Sequence, residues 1–299
     1  MEDEFNRILE EIRSDWQGRE PPTKAGKVLA KIKMRNITRN TIDILKTVGV
    51  RRLLTSPFRK NLPDFFIIGA AKCGTTTLFD MVTDHPDVCG IPDVKTKEPL
   101  YFGASSMSLK WYRCFFPIRK NGRLMCDASV TSLCAPLAPV QISCILPTAK
   151  FIVILRDPVD RVLSHYEYNK RRGIEVATSL EDALKIEHIR VSESGVVPTF
   201  LAYRLWGHYA TQLERWFSVF DRNQFLILAT EELREDKQKV ADKVFNFLNL
   251  PDHSIINIKN SNTGKYTNMH PETRRMLAEY YRSHNERLYN LLEHRFDWS

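Results

Sequence analysis

The sequence predicts an α/β fold: a mostly parallel central sheet flanked by helices in three layers, with a helical N-terminal extension ahead of it. Three observations carry this. Short apolar runs at residues 65–68, 124–128, 150–156 and 225–229 are separated by stretches of helical periodicity, the alternation expected of parallel strands joined by crossover helices. The run Phe151-Ile152-Val153-Ile154-Leu155 is unbroken, as in a central strand covered on both faces. At 299 residues and 43% hydrophobic content, the chain is long enough to bury a large core.

Taken in order, Phe5, Ile8, Leu9, Ile12 and Trp16 recur at helical spacing and predict an amphipathic helix over residues 3–17. Gln17-Gly18 and Pro21-Pro22 then interrupt it. From Lys24 to Lys60 there are eleven Lys or Arg residues and one acid, Asp43. Three readings of this arm compete: a helical arm packed on the core, a helix on an anionic membrane surface, or a homo-oligomer contact, the first being favoured. Residues 1–60 are accordingly read as a basic extension and residues 61–299 as the main domain. The whole chain carries a net charge of +8, less than the arm alone, so the main domain is no general polyanion magnet and no nucleic-acid partner is expected.

The N-terminus is acidic, has no apolar signal core, and no apolar run reaches the length of a membrane span. A cytoplasmic protein without a transmembrane segment is the expectation. The six cysteines lie in the first half with no C-x-x-C pair and no histidine at zinc spacing, which reads as reduced thiols and no metal site.

The richest stretch runs from Asp64 to Leu78. A strand-like run ends in Gly69-Ala70-Ala71-Lys72-Cys73-Gly74, and Thr75-Thr76-Thr77 opens an amphipathic helix to Asp84, ended by His85-Pro86. Such a turn offers helix N-terminal amides, and the positive end of the helix dipole, to an anion. Gly69 and Gly74 stand as G-x-x-x-x-G, but the nucleoside triphosphatase loop needs G-K-[ST], and here the lysine precedes the glycine. Cys73 beside Lys72 at a helix start has the setting of a lowered thiol pKa, against the plainer reading of a small residue that fits the loop. His85 is read as a helix-end residue rather than a base.

The second informative stretch begins at Arg156-Asp157-Pro158, at the end of the strand over residues 150–156. Asp157 suits a helix N-cap and Pro158 a first turn, and Arg161, Ser164, His165 and Tyr168 share a face of that helix. Ligands of parallel sheets bind at the carboxyl ends of strands, so Arg156 and Lys72 fall on one edge.

Together, K-C-G-T-T-T-L and R-D-P-x-x-R-x-x-S-x-Y resemble the two cofactor loops of sulfotransferases that use 3′-phosphoadenosine 5′-phosphosulfate (PAPS), over roughly residues 62–298. The resemblance implies a P-loop-like fold, phosphosulfate binding by Lys72, Cys73, Gly74, Thr75, Thr76 and Thr77, and 3′-phosphate binding by Arg156 and Ser164. Lys97-Glu98-Pro99-Leu100-Tyr101-Phe102 is similar to the K-E-x-x-x-F segment of heparan-sulfate-type and related bacterial members. It implies Glu98 as general base, with Lys72, helped by Lys97, as the catalytic cation; His165 is the runner-up base. Asp127-Ala128-Ser129 stands where relatives read Glu-x-Ser-Pro, and Trp206-Gly207-His208-Tyr209 resembles an R-G-x-Y block. Lys97, Asp127, Ser129, His165, Trp206 and His208 are therefore substrate-pocket candidates, although aromatics at helical spacing are more often core. Gly264-Lys265-Tyr266 before His270-Pro271 partly matches a loop that closes over the 3′-phosphate. Beyond it, a final helix is expected to pack through Met276, Leu277, Tyr280, Leu288, Leu291 and Leu292. Lys170-Arg171-Arg172 reads as a cationic helix end before Gly173, with an anionic-acceptor contact as the alternative.

The implied reaction moves a sulfuryl group from PAPS to a hydroxyl or amine, leaving adenosine 3′,5′-bisphosphate and needing no metal. The slightly acidic body favours a small-molecule acceptor, a cytosolic metabolite or natural product, with a carbohydrate as the alternative. A P-loop kinase or triphosphatase, or a non-catalytic nucleotide-binding adaptor, are the rival readings.

Overall fold

The computed structural model describes residues 61–91, 97–103, 109–117, 122–194, 200–256 and 269–298. The helix expected over residues 3–17, the basic arm, and Gly264, Lys265 and Tyr266 lie outside the described residues.

Among the described residues five strands, β1 (Phe65–Gly69), β2 (Val88–Cys89), β3 (Leu124–Asp127), β4 (Lys150–Leu155) and β5 (Phe225–Ala229), form one parallel sheet in the order β2-β3-β1-β4-β5. The four expected strands are present, with β3 and β4 each ending one residue sooner than the apolar runs suggest. β2 was not anticipated; at two residues it has no periodicity to read. Every residue of β1 is buried, as are the five after Lys150 in β4, the signature of strands covered on both faces. Phe151 is the hub of this core, with ring centroids 5.7 Å from Phe66, 5.0 Å from Trp216, 4.6 Å from Phe220 and 5.0 Å from Phe225.

The helices are α1 (Thr75–Thr83), α2 (Leu109–Arg113), α3 (Ala138–Ser143), α4 (Pro158–Arg171), α5 (Leu180–Lys185), α6 (Glu187–Ser194), α7 (Tyr209–Phe217), α8 (Thr230–Glu235), α9 (Lys237–Leu248) and α10 (Pro271–Leu292). α1 packs against α9, whereas α4 and α7 pack against α10. In α10 the buried stripe is Thr273, Leu277, Tyr281, Leu288 and Tyr289. Met276, expected in that stripe, is 44% exposed: the i, i+4 row through 273, 277 and 281 places it on the outer flank. No helix among the described residues is long and apolar enough to cross a membrane.

The chain order places a crevice. The loop after β1 leads through α1 to β2 at one edge of the sheet, and the loop after β4 leads to β5 at the other. β1 and β4 are neighbours whose connections depart in opposite directions, which is where open α/β sheets bind ligands. Thr230, at the start of α8, stitches this point together: its hydroxyl lies 2.7 Å from the Cys73 carbonyl oxygen and 2.8 Å from that of Leu155. Thr230→Val keeps the shape and leaves both buried carbonyls without that donor. We expect a loss of about 1–3 kcal/mol, read as a lowered Tm in thermal denaturation, with the fold retained.

Candidate active site

The loop after β1 carries two residues in the left-handed region, Lys72 at φ 72° and Gly74 at φ 90°. Gly74 takes this conformation freely and N-caps α1 without a side-chain hydrogen bond. The first amides of α1 thus keep the orphan donors of a helix start. Lys72 has a Cβ and is held in a region that costs about 1–2 kcal/mol. Its Nζ lies 3.7 Å from the centroid of the Tyr168 ring, and the Tyr168 hydroxyl accepts a 2.6 Å hydrogen bond from Arg172 Nη1. Burial, seconded by the charge of Arg171, brings the Lys72 ammonium down to about 8, although Cys73 and Glu98 act to raise it.

Cys73 follows the plainer of its two sequence readings, a small residue that fits the loop, and not that of an activated thiol. Its thiol is fully buried, 3.6 Å from the Tyr209 hydroxyl, and burial pushes it up to about 11 rather than down. A helix start activates a thiolate only where water or a cation can reach the sulfur. This side chain fills core behind the loop.

Glu98 is brought to the same sheet edge by its neighbours. The Ala128 amide donates to the Lys97 carbonyl at 3.4 Å, the Leu100 amide donates to Ser129 Oγ at 3.0 Å, and Phe102 packs edge-on against Phe66 of β1. Burial raises the Glu98 carboxyl to about 7; Lys97 and Lys72 pull it down and Asp127 pushes it up. Lys97 is itself lowered to about 8 by burial, against the pull of Glu98, and its buried Nζ has no hydrogen-bond partner among the described residues. A half-buried carboxylate among two weakened ammonium groups is the arrangement that sets acid–base groups near neutrality.

Asp127 and Ser129, expected as substrate contacts, are buried and build this support instead. Asp127 accepts from the Tyr112 hydroxyl at 2.5 Å and from the Ser129 amide at 2.8 Å. Both carboxylate oxygens of this acid at the end of β3 are engaged within the protein, so it makes a poor magnesium holder for a kinase.

At the end of β4, Asp157 caps α4 by accepting from the Val159 amide at 2.8 Å, and Pro158 fills the first turn, as the sequence predicts. Burial raises the Asp157 carboxyl to about 6. Arg156 is 9% exposed, and its buried Nε has no partner among the described residues. Ser164 is buried on the same helix. Tyr209 closes the gap between the two loops: its hydroxyl donates to the Arg156 carbonyl at 3.0 Å and meets the Cys73 sulfur. Buried cationic side chains with nitrogen atoms left over, Lys97 Nζ and Arg156 Nε, near a helix start without a side-chain cap fit a ligand with more than one anionic group.

His165 is a poorer base than Glu98. Arg161 Nη1 stands 3.3 Å from His165 Nδ1, and because a guanidinium only donates, Nδ1 is the acceptor and its lone pair is occupied. Burial and the Arg161 and Lys72 charges keep the ring neutral. Trp206 packs with Ala71, Val130, Cys134 and Ala202, its buried Nε1 without a partner among the described residues. His208 bonds Tyr280 at 2.8 Å and stacks on His284, so it clamps the start of α7 to α10. His85 holds a helix end as expected, with Nδ1 accepting from the Asp87 amide and Nε2 3.0 Å from the Pro251 carbonyl. Lys170 likewise ties the end of α4 to the Ala177 and Thr178 carbonyls.

Tyr209, Thr230 and Tyr112 were not singled out from the sequence. Tyr209 stood inside the W-G-H-Y block and Thr230 directly after a strand end, the one local signal available for either.

Residues 62–288 match the family model described as "Sulfotransferase domain". The chain belongs to the PAPS-dependent sulfotransferase family. It is 30% identical, over 78% of its own length and 30% of the relative's, to the mouse (Mus musculus) bifunctional heparan sulfate N-deacetylase/N-sulfotransferase 4. It is 29% identical to the human heparan sulfate glucosamine 3-O-sulfotransferase 3A1, over 84% of this chain and 66% of that one. Among solved structures, a sulfotransferase from Alicyclobacillus acidocaldarius superposes with a TM-score of 0.68 at 27% identity, covering 79% of this chain and 98% of that one. The chain thus spans about a third of the bifunctional relatives it matches. Heparan sulfate sulfotransferases act in the Golgi lumen, and this kinship overturns the expected cytoplasmic placement. The preference for a cytosolic metabolite as acceptor loses its ground with it.

The raised Glu98 pKa has a consequence for stability. The folded state favours the protonated carboxyl, so wild-type stability falls as pH rises from the ordinary value of 4.5 to about 7. Glu98→Gln removes this titration. The Tm difference between variant and wild type should shift in favour of the variant from pH 4.5 to about 7 and level off above, as followed by calorimetry.

Proposed function

We propose that the chain transfers a sulfuryl group from PAPS to a hydroxyl or amine of a carbohydrate acceptor, with Glu98 as general base. The observation that carries this is Glu98 poised near neutrality at the β1–β4 crevice, within the electrostatic reach of Lys72 and Lys97. PAPS supplies the activated sulfuryl group. The α1 amides from Gly74 to Thr77 hold its phosphosulfate end, and Arg156 with Ser164 holds the 3′-phosphate. Glu98 takes the acceptor proton as the new bond to sulfur forms, and Lys72 balances the charge that builds on the leaving phosphate oxygen. The carbohydrate acceptor is supported by kinship with heparan sulfate enzymes that modify nitrogen in one case and oxygen in the other.

Glu98→Gln should lower kcat by about 10²–10⁴-fold, the usual share of a general base, with little change in the KM for PAPS. The wild-type rate should rise with pH to about 7 as Glu98 ionises and fall above about 8 as Lys72 loses its proton. An unchanged kcat in the variant would exclude Glu98 as the base.

The acceptor class is tested by offering labelled PAPS with desulfated glycans in one arm and pooled small metabolites in another. Label should enter the glycans, and transfer confined to metabolites would refute the carbohydrate reading.

A further inference from the structure

Asp160 lies in the first turn of α4, and its two oxygens face two arginines. Oδ2 is 3.5 Å from Arg156 Nη2, and Oδ1 is 2.6 Å from Arg274 Nη2, which comes from the first turn of α10. One carboxylate therefore joins a guanidinium at the sheet edge to one on the terminal helix, leaving the trio with a net single positive charge. Burial acts to raise the Asp160 carboxyl, but the Arg274 hydrogen bond and the two cations outweigh it, so Asp160 stays ionised below the ordinary range. Arg156 gives Asp160 one nitrogen while its buried Nε stays without a partner. A guanidinium held at one nitrogen and open elsewhere is preorganised for an anion; unheld, it loses rotamer freedom on each binding event.

We propose that Asp160 is a positioning residue for the 3′-phosphate: it holds the Arg156 guanidinium in register for that group, with Arg274 as the counter-cation anchoring the carboxylate to α10. This rests on the assignment of Arg156 to the 3′-phosphate. Coulomb's law alone predicts the opposite effect, because deleting a negative charge near a phosphate site strengthens binding, so the sign of the change is decisive.

The test compares adenosine 3′,5′-bisphosphate with adenosine 5′-phosphate, which lacks the 3′-group, by isothermal titration on the full chain. Asp160→Asn should weaken the bisphosphate about tenfold while moving the monophosphate by less than about twofold. Arg274→Gln should do the same, and the double variant should be no worse than either single change, because all act through one element. The KM for PAPS should rise more than kcat falls, and Asp160→Glu should restore part of the discrimination. Unchanged or tighter bisphosphate binding in Asp160→Asn, or equal loss of both nucleotides, would overturn the positioning role. Arg156→Ala separates the two levels. If it leaves the preference for the bisphosphate intact, the 3′-phosphate assignment itself fails; if it abolishes the preference while Asp160→Asn does not, only the role of Asp160 fails.

Discussion

The direct parallel pairing of β1 with β4 is the constraint on which the site depends. Their connections leave in opposite directions, so the loops that end in Lys72 and Arg156 open side by side instead of closing over one another. The ladder pairs Phe65 to Ile67 with Lys150 to Ile152 and, after a shift in register, Gly69 with Val153, so backbone pairing brings the two loops side by side. Thr230 and Tyr209 then tie both loops to the elements that follow, each through buried oxygen atoms. A strand slip would move the two halves of the crevice apart even if every site residue were retained.

The electrostatics follow from this enclosure. Burial is the leading influence on Lys72, Lys97 and Glu98 alike, lowering the ammonium groups and raising the carboxyl. Their mutual attraction opposes burial without cancelling it. The outcome is three groups whose proton affinities crowd together near neutrality, although their ordinary values lie some six units apart. The deeper pair, Asp127 with Tyr112, is held by hydrogen bonds and adds a negative charge behind Glu98.

Much of the fold was legible in the sequence because its signals are local. The all-apolar run of β4, the Asp157-Pro158 helix start and the glycine-bounded loop each specify a conformation over a few residues, and all three formed as read. What was not legible depends on partners distant in sequence. Cys73 beside Lys72 left two readings open, with the small loop residue the plainer, and the choice between them is made by Tyr209, far along the chain, which meets its sulfur. Asp127 and Ser129 looked like contacts for a substrate, yet Tyr112 and Leu100 consume them. Met276 fits the helical period as well as Leu277 does; only the placement of α10 against α4 and α7 decides which is covered. Compartment was misread for a related reason, since composition reports what a chain can bury, not where it works.

The burial of Cys73 has a chemical corollary. With the thiol at about 11 and enclosed, on the order of one molecule in ten thousand carries the thiolate at neutral pH. A sulfur set in the middle of the loop between β1 and α1 is thereby shielded from alkylating and oxidising agents, which attack the ionised form. The loop keeps the volume of a cysteine without its vulnerability.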